Sequence, residues 1–298
     1  MINTPLFSHF TTVNKINKGW SKDTKYYVET MDGERLLLRI TDISEYERKK
    51  EEFEMMKYVE SLDVPMSHPV DFGICDGGKV CYSLFTWCDG KDAEAIIPLL
   101  SEVEQYSLGF RSGEILKILH HIPAPDDLID WNYRFGAKTD KRLQSYRACS
   151  LQFDGDEQMI AYVEKNRDLL KKRPQCYQHG DYHLGNMIIS EMRELSIIDF
   201  NRFDYGDPWE EFNRIVWSAK ISPHFATGQI NGYFDGKPPI EFFRLLTFYI
   251  ASNTLGSICW AESDQSDLDT MMQQSQDVMQ WFDGMKNIVP TWYQGSLM

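Results

Sequence analysis

A chain of 298 residues exceeds the size at which a single hydrophobic core stops growing, so one large or two smaller domains are expected. Hydrophobic residues at 42% and charged residues at 26% fit an ordinary globular protein, and no apolar run approaches the roughly 20 residues that cross a bilayer. The net charge of −14 argues against nucleic acid as a partner, because phosphates would be repelled.

Residues 10 to 88 alternate short strands with turns at Met31-Asp32-Gly33-Glu34 and Asp76-Gly77-Gly78. They include one charged helix from about Ser44 to Ser61, with Ser44 as N-cap and Glu47 three residues on. Leu36-Leu37-Leu38-Arg39-Ile40 reads as a third strand and Ser83-Leu84-Phe85-Thr86-Trp87-Cys88-Asp89-Gly90 as another. From Asp92 the pattern turns helical: Val103 to His121, Lys138 to Leu151, Asp156 to Lys172, Pro208 to Lys220, Pro239 to Glu262 and Asp264 to Asn287 carry apolar residues at three- and four-residue spacing. Met187-Ile188-Ile189 and Leu195-Ser196-Ile197-Ile198 interrupt them as a hairpin turning at Glu191 to Glu194. The expected class is α+β: a small β-rich lobe over 1–88 with one main helix, and a larger helical lobe over 89–298.

The chemistry concentrates in His179-Gly180-Asp181-Tyr182-His183-Leu184-Gly185-Asn186 and in Ile198-Asp199-Phe200. Asp181 and Asn186 stand five apart, the spacing of a kinase catalytic loop, where the Asp takes the proton of an attacking hydroxyl and the Asn holds a metal ion. Asp199 matches the second metal ligand. A rival reading takes His179-x-Asp181-x-His183 as three ligands of a metal-dependent hydrolase.

The loop, written H-G-D-x-x-x-x-N, resembles that of the aminoglycoside phosphotransferase family, small-molecule kinases that share the protein-kinase fold. Further landmarks follow in order: Gly19-Trp20-Ser21 before a strand through Tyr26-Tyr27-Val28, the third strand with Arg39 where the family usually has Lys, Glu52 on the next helix, the hinge-like Ser83 to Gly90, and Gly206-Asp207-Pro208. The resemblance implies a bilobal protein-kinase-like fold with ATP or GTP as co-substrate and Mg2+ as essential metal. It places the base along Thr86 and Cys88, the phosphates on Ser21 and Arg39 with Glu52 as ion-pair partner (Glu51 or Glu47 in another helix register), the metal on Asn186 and Asp199, and the acceptor hydroxyl on Asp181. His179 would brace the loop. Asn201 replaces the Gly of D-F-G, and Glu211 stands where relatives often have Asp.

Residues 199 to 298 hold thirteen Asp and Glu against six Lys and Arg. One reading is solubility. The other is a pocket for a cationic acceptor such as an aminoglycoside or related antibiotic, with Asp204, Glu210, Glu211, Glu262 and Asp264 supplying carboxylates, and Trp209, Trp260 and Tyr293 taken as core. A metabolic kinase for choline, homoserine, methylthioribose or a sugar amine would share every motif. The opening Met1-Ile2-Asn3-Thr4-Pro5 lacks the features of a signal peptide, giving the expectation of a cytoplasmic protein with a small-molecule substrate and no membrane partner, as monomer or homodimer. Six cysteines without a C-x-x-C pair read as buried free thiols.

Overall fold

The computed structural model describes residues 8–17, 23–264 and 267–295, with Ser263 and Asp264 described by backbone alone. Its first elements are β1 (Phe10–Ile16), β2 (Thr24–Thr30), β3 (Arg35–Asp42), α1 (Tyr46–Glu60), β4 (Pro69–Cys75) and β5 (Val80–Thr86). The strands form one antiparallel sheet in the order β1-β2-β3-β5-β4. Alternation along β3 sends Leu36, Leu38 and Ile40 to one face, where they pack with Val28 and Leu84. Arg39 and Thr41 take the other face. The helix α1 covers that second face, with the Phe53 ring 5.8 Å from Phe85 and 5.5 Å from Phe72. Its buried residues Lys49, Glu52, Phe53, Met56 and Val59 make one stripe at three- and four-residue spacing, so two charges are carried into the sheet along with the apolar side chains. The expected Ser44 cap is replaced by Asp42, whose Oδ1 accepts the Ser44 N–H at 2.9 Å and opens a short 3-10 turn before α1.

The chain continues through β6 (Lys91–Asp92), α2 (Ala93–Ile96), α3 (Glu102–Leu119), α4 (Trp131–Ala148), α5 (Asp156–Lys165), β7 (Cys176–Gln178), β8 (Met187–Ile189), β9 (Leu195–Ile197), β10 (Asp204–Gly206), α6 (Ile215–Ile221), α7 (Pro223–Tyr233), α8 (Ile240–Asp264) and α9 (Leu268–Trp281). Two compact units result: residues 1–91 with 187–201, and residues 92–186 with 202–298. The hairpin β8–β9 pairs as read from the sequence, Met187 opposite Ile197 and Ile189 opposite Leu195. It packs with the sheet unit rather than the helices, because the Ile197 N–H donates to the Pro65 carbonyl at 2.8 Å.

Helix α4 starts at Trp131, well before the expected Lys138, because the Asp130 side chain caps it by accepting the Asn132 N–H. The expected helix through Lys172 stops near Asn166, whose side-chain amide donates to the Tyr162 carbonyl and gives way to a 3-10 turn. Helix α7, absent from the sequence reading, begins at the Ser222 cap and Pro223 and contains Gly228 and Gly232. These two glycines meet the backbone of Tyr106 and Phe110 on α3, while Gly109 and Gly113 of α3 meet Phe225 and Gln229. A Cβ at any of the four would collide with the facing main chain, so the helices touch backbone to backbone. Among the described residues no helix is long and apolar enough to cross a membrane.

Candidate active site

In the helical unit, β7 and β10 pair antiparallel, with Gln178 opposite Asp204, and deliver the chain into the loop that carries Asp181. Gly180 has φ +84°, and a Cβ there would strike the Arg202 carbonyl, so the turn requires glycine. Its N–H donates to both Glu211 oxygens, at 3.0 and 3.2 Å. The Asp181 N–H donates to Nδ1 of the fully buried His179 at 3.3 Å. Tyr182 donates its hydroxyl to the Ser112 carbonyl of α3 at 2.8 Å. The Asn186 side-chain amide donates to the Asp181 carbonyl at 2.8 Å, which leaves Oδ1 as its acceptor end. Every turn of the loop is thus tied by a hydrogen bond.

Three cationic or proton-bearing side chains surround the Asp181 carboxylate: Arg214 Nε at 3.3 Å, His183 Nε2 at 3.6 Å and Arg202 Nη1 at 3.7 Å. His183 accepts the Gly185 N–H at Nδ1, so in the neutral ring the proton sits on Nε2, facing Asp181. Burial alone would raise the Asp181 pKa, but His183 and Arg214 outweigh it and hold the carboxyl well below the usual carboxylate range. The group is ionised at any physiological pH. The three-ligand alternative does not form: His179 is turned inward onto the loop backbone, and among the described residues no three His, Cys, Asp or Glu side chains are grouped to hold a metal.

Behind the loop, the fully buried Asp207 receives a two-pronged pair from Arg173, Nε at 2.6 Å and Nη2 at 2.8 Å, and the Tyr249 hydroxyl at 2.5 Å. Arg173 also lies 3.9 Å over the Trp209 ring. Glu211, expected to face the acceptor, is 2% exposed and turned onto Gly180 instead. Its pKa is lowered because His120 and His179 outweigh the burial that would raise it.

In the sheet unit, Arg39 is 5% exposed and donates to Asp23 from Nε and Nη2, at 3.0 and 2.6 Å, and from Nη1 to Asp199 at 3.2 Å and Glu52 at 3.5 Å. Lys49 reaches Asp23 and Glu52, each at 2.9 Å, and Lys25 lies 3.9 Å from Asp199. Three cations and three carboxylates therefore share one network. Burial would raise the Asp23 pKa, but Arg39 and Lys49 pull it below its ordinary value. For Lys25 burial wins, and its pKa falls despite Asp199. Asp199 itself adopts φ +65°, a conformation uncommon for a non-glycine residue.

The other expected residues separate. Ser21 lies outside the described residues. Thr86 has its backbone engaged within the sheet unit, its N–H on the His68 carbonyl at 2.8 Å and its carbonyl accepting from the Ser67 hydroxyl at 2.6 Å. Cys88 keeps its backbone N–H and carbonyl without a hydrogen bond among the described residues, and burial pushes its thiol up to about 11. Asp204 is exposed and accepts the N–H of Tyr205 at 2.7 Å, Glu210 accepts from Gln178 at 3.2 Å, and Glu262 accepts from the Ser150 backbone and hydroxyl. The Asp264 side chain lies outside the described residues. Trp260, read as core, is 45% exposed. Sequence reading missed Asp23, Lys25, Lys49, Arg173, Arg202 and Arg214. Only Lys49 left a signal, its three-residue spacing to Glu52 on one helix face.

The model of the phosphotransferase enzyme family matches residues 12–243. The chain belongs to the phosphotransferase enzyme family. No curated protein matches it in sequence. This phosphotransferase is similar in fold to the ADP-bound aminoglycoside phosphotransferase APH(2'')-Ib, with TM-score 0.62 and 16% identity over 97% of each chain. It is also similar to the amicoumacin kinase hAmiN in complex with AMP-PNP, Ca2+ and Ami, with TM-score 0.64 and 14% identity over 95% of this chain and 91% of that one. A choline/ethanolamine kinase family protein from Mesorhizobium loti gives TM-score 0.65 and 14% identity over 95% and 94%. At such identities the likeness is one of fold, the protein-kinase-like α+β architecture.

Proposed function

We propose that this phosphotransferase moves the terminal phosphoryl group of ATP or GTP to a hydroxyl of a small molecule. The observation that carries the reading is Asp181, an ionised carboxylate on a tied loop, five residues before Asn186. It accepts a hydrogen bond from the acceptor hydroxyl, aims its oxygen at the phosphorus and takes the proton as the new P–O bond forms and the bond to the nucleoside diphosphate breaks. A loose transition state asks little of a base, so positioning supplies most of the rate, and a carboxylate with a low pKa suits that role.

Asn186 and Asp199 each carry an oxygen of the kind Mg2+ takes: the Asn186 amide donates to the Asp181 carbonyl and keeps Oδ1 as its acceptor end, and the Asp199 side chain is 27% exposed. Mg2+ held by such oxygens would neutralise charge on the nucleotide phosphates. Lys25 and Arg39 are the cations for those phosphates. Cys88 offers its backbone to the base, in preference to Thr86.

An aminoglycoside-type acceptor, the first expectation, needs free carboxylates around Asp181. Of the five carboxylates named for it, Glu211 is buried on the loop and Glu262 is held by Ser150, while Asp204 is exposed and Glu210 has the neutral Gln178 amide as partner, so Asp204 and Glu210 are the ones left to meet a cationic acceptor. Product-mass screening with ATP and GTP against aminoglycosides, other antibiotics, sugars, hydroxy acids and amino alcohols tests the reading. Phosphorylation of one class by the wild type but not by Asp181→Asn is expected; equal transfer by both would sink it.

A further inference from the structure

Helix α4 carries Arg134, Lys138 and Arg142 at four-residue spacing, which stacks them along one face. Arg142 lies across α8 at Gly256, where an added Cβ would come within 3.0 Å of its Nε. The missing side chain makes the groove in which the guanidinium rests. Its Nη1 donates to Ser252 Oγ and its Nη2 to Asn253 Oδ1, both at 3.2 Å, so neutral partners fix its position without cancelling its charge. Lys138 is exposed, its Nζ 5.4 Å from the Phe135 ring centre, and it forms no hydrogen bond or ion pair with the described residues. Arg134 ties this face to the chemistry: it donates to the Tyr205 carbonyl and lies 3.6 Å from Asp204 on β10, the strand paired with β7 ahead of Asp181. Arg214 stands beside Asp181 at 3.3 Å; burial lowers the pKa of Lys138 and Arg142, and the Arg214 charge also lowers both.

Two carboxylates oppose these cations. Glu210 raises the pKa of both Lys138 and Arg142, and it is shared with the Gln178 amide. Asp204 acts on Lys138 and is drawn off by Arg134 at 3.6 Å and by the Tyr205 N–H. Solubility does not account for the arrangement. Arg142 is held by neutral partners and neither it nor Lys138 forms an ion pair among the described residues, so both keep a positive charge that a ligand anion can take up.

We infer that Lys138, Arg142 and Arg214 form an anion subsite for the acceptor, so that the hydroxyl compound phosphorylated at Asp181 carries a carboxylate or a phosphate of its own. The inference rests on the phosphotransferase reading above. Arg142 and Arg214 act as forks suited to a flat or tetrahedral anion, and Lys138 as a mobile point charge on the open side.

The test uses glucose, gluconate, glucose 6-phosphate, glucosamine and kanamycin as probes, with binding read by ligand line broadening in NMR and transfer read by product mass. At least one anionic probe is expected to bind at least about tenfold tighter than glucose, the scale of one charge-assisted hydrogen bond. Gluconate and glucose 6-phosphate separate a carboxylate site from a phosphate site. Lys138→Met and Arg142→Met should each erase that preference, and Arg142→Lys should restore part of it. Tighter binding of glucosamine or kanamycin, no anion preference, or a preference intact in both Met variants overturns the inference. Mg2+-dependent nucleotide binding, read separately by calorimetry on the wild type and Asp199→Ala, reports on the phosphotransferase reading. An absent anion preference beside intact nucleotide binding therefore sinks the acceptor class alone.

Discussion

The Arg39 guanidinium places two N–H donors on one oxygen of Asp23, Nε at 3.0 Å and Nη2 at 2.6 Å. A cation expected to grip phosphate is thus already held by a carboxylate that the strand pattern did not announce. Asp23→Asn should leave Arg39 and Lys49 undercompensated in a buried place, and breaking such a pair typically costs about 3 to 5 kcal/mol. A lower Tm without nucleotide is expected, together with a larger stabilisation by ATP than the wild type shows. An unchanged Tm would mean that the network adds nothing to stability.

Asp181→Asn keeps the size of the side chain but loses the proton acceptor. Turnover should fall at least ~10²-fold while nucleotide KM stays close to wild type, since the residue orients the acceptor rather than the phosphates. Steady-state kinetics with each substrate varied in turn would show this. A rise confined to nucleotide KM would move Asp181 out of its assigned role.

The folded pKa values of Asp23, Asp181 and Glu211 all lie below their ordinary values of 3.8, 3.8 and 4.5. A depressed carboxylate contributes stability that is fully present above the ordinary value and is lost as pH falls through the folded one. Acid unfolding should therefore begin near pH 4 and deepen below it. For the same reason kcat should show no acid limb from Asp181 between pH 5 and 7. A stability profile flat down to pH 2 would contradict these shifts.

Asp199→Ala should abolish the Mg2+ dependence of nucleotide affinity, because it removes a hard oxygen. Calorimetric titration with and without Mg2+ is the measurement. Affinity that still rises with Mg2+ in the variant would take Asp199 out of the metal site.

Gly113→Ala and Gly228→Ala each push a methyl into the facing helix backbone and should cost about 1 to 3 kcal/mol or more. Gly136→Ala on α4 meets nothing within 4 Å and should stabilise by about 0.5 to 1 kcal/mol. Thermal denaturation of the three variants separates crowding from a general intolerance of substitution.

The strands and the β8–β9 hairpin were legible because alternation and turn residues are local signals, and the bond between Asn186 and Asp181 because the two stand five apart in one loop. Helix α7 was not, since Gly228 and Gly232 look like breakers until α3 supplies the backbone they pack on. Carboxylates gave the least. Glu211 and Glu262 look alike in sequence, yet one is buried under the loop and the other is held by Ser150, a difference made by partners 31 and 112 residues away. The cations around Asp181 come from Arg202 and Arg214 on later segments, so no window around the motif contains them.

At Gly109, Gly113, Gly228 and Gly232 the α3–α7 contact is made on main chain, and α3 also holds Tyr182 through the Ser112 carbonyl. Substitutions at those four glycines meet facing main chain, which cannot turn aside as a side chain can. A new acceptor preference is more readily acquired elsewhere in this unit, as on the face of α4 and α8 around Arg142 and Gly256, where the neighbour of the glycine is a flexible side chain rather than main chain. Directed evolution for altered acceptors should accumulate its changes on that face and spare Gly109, Gly113, Gly228 and Gly232.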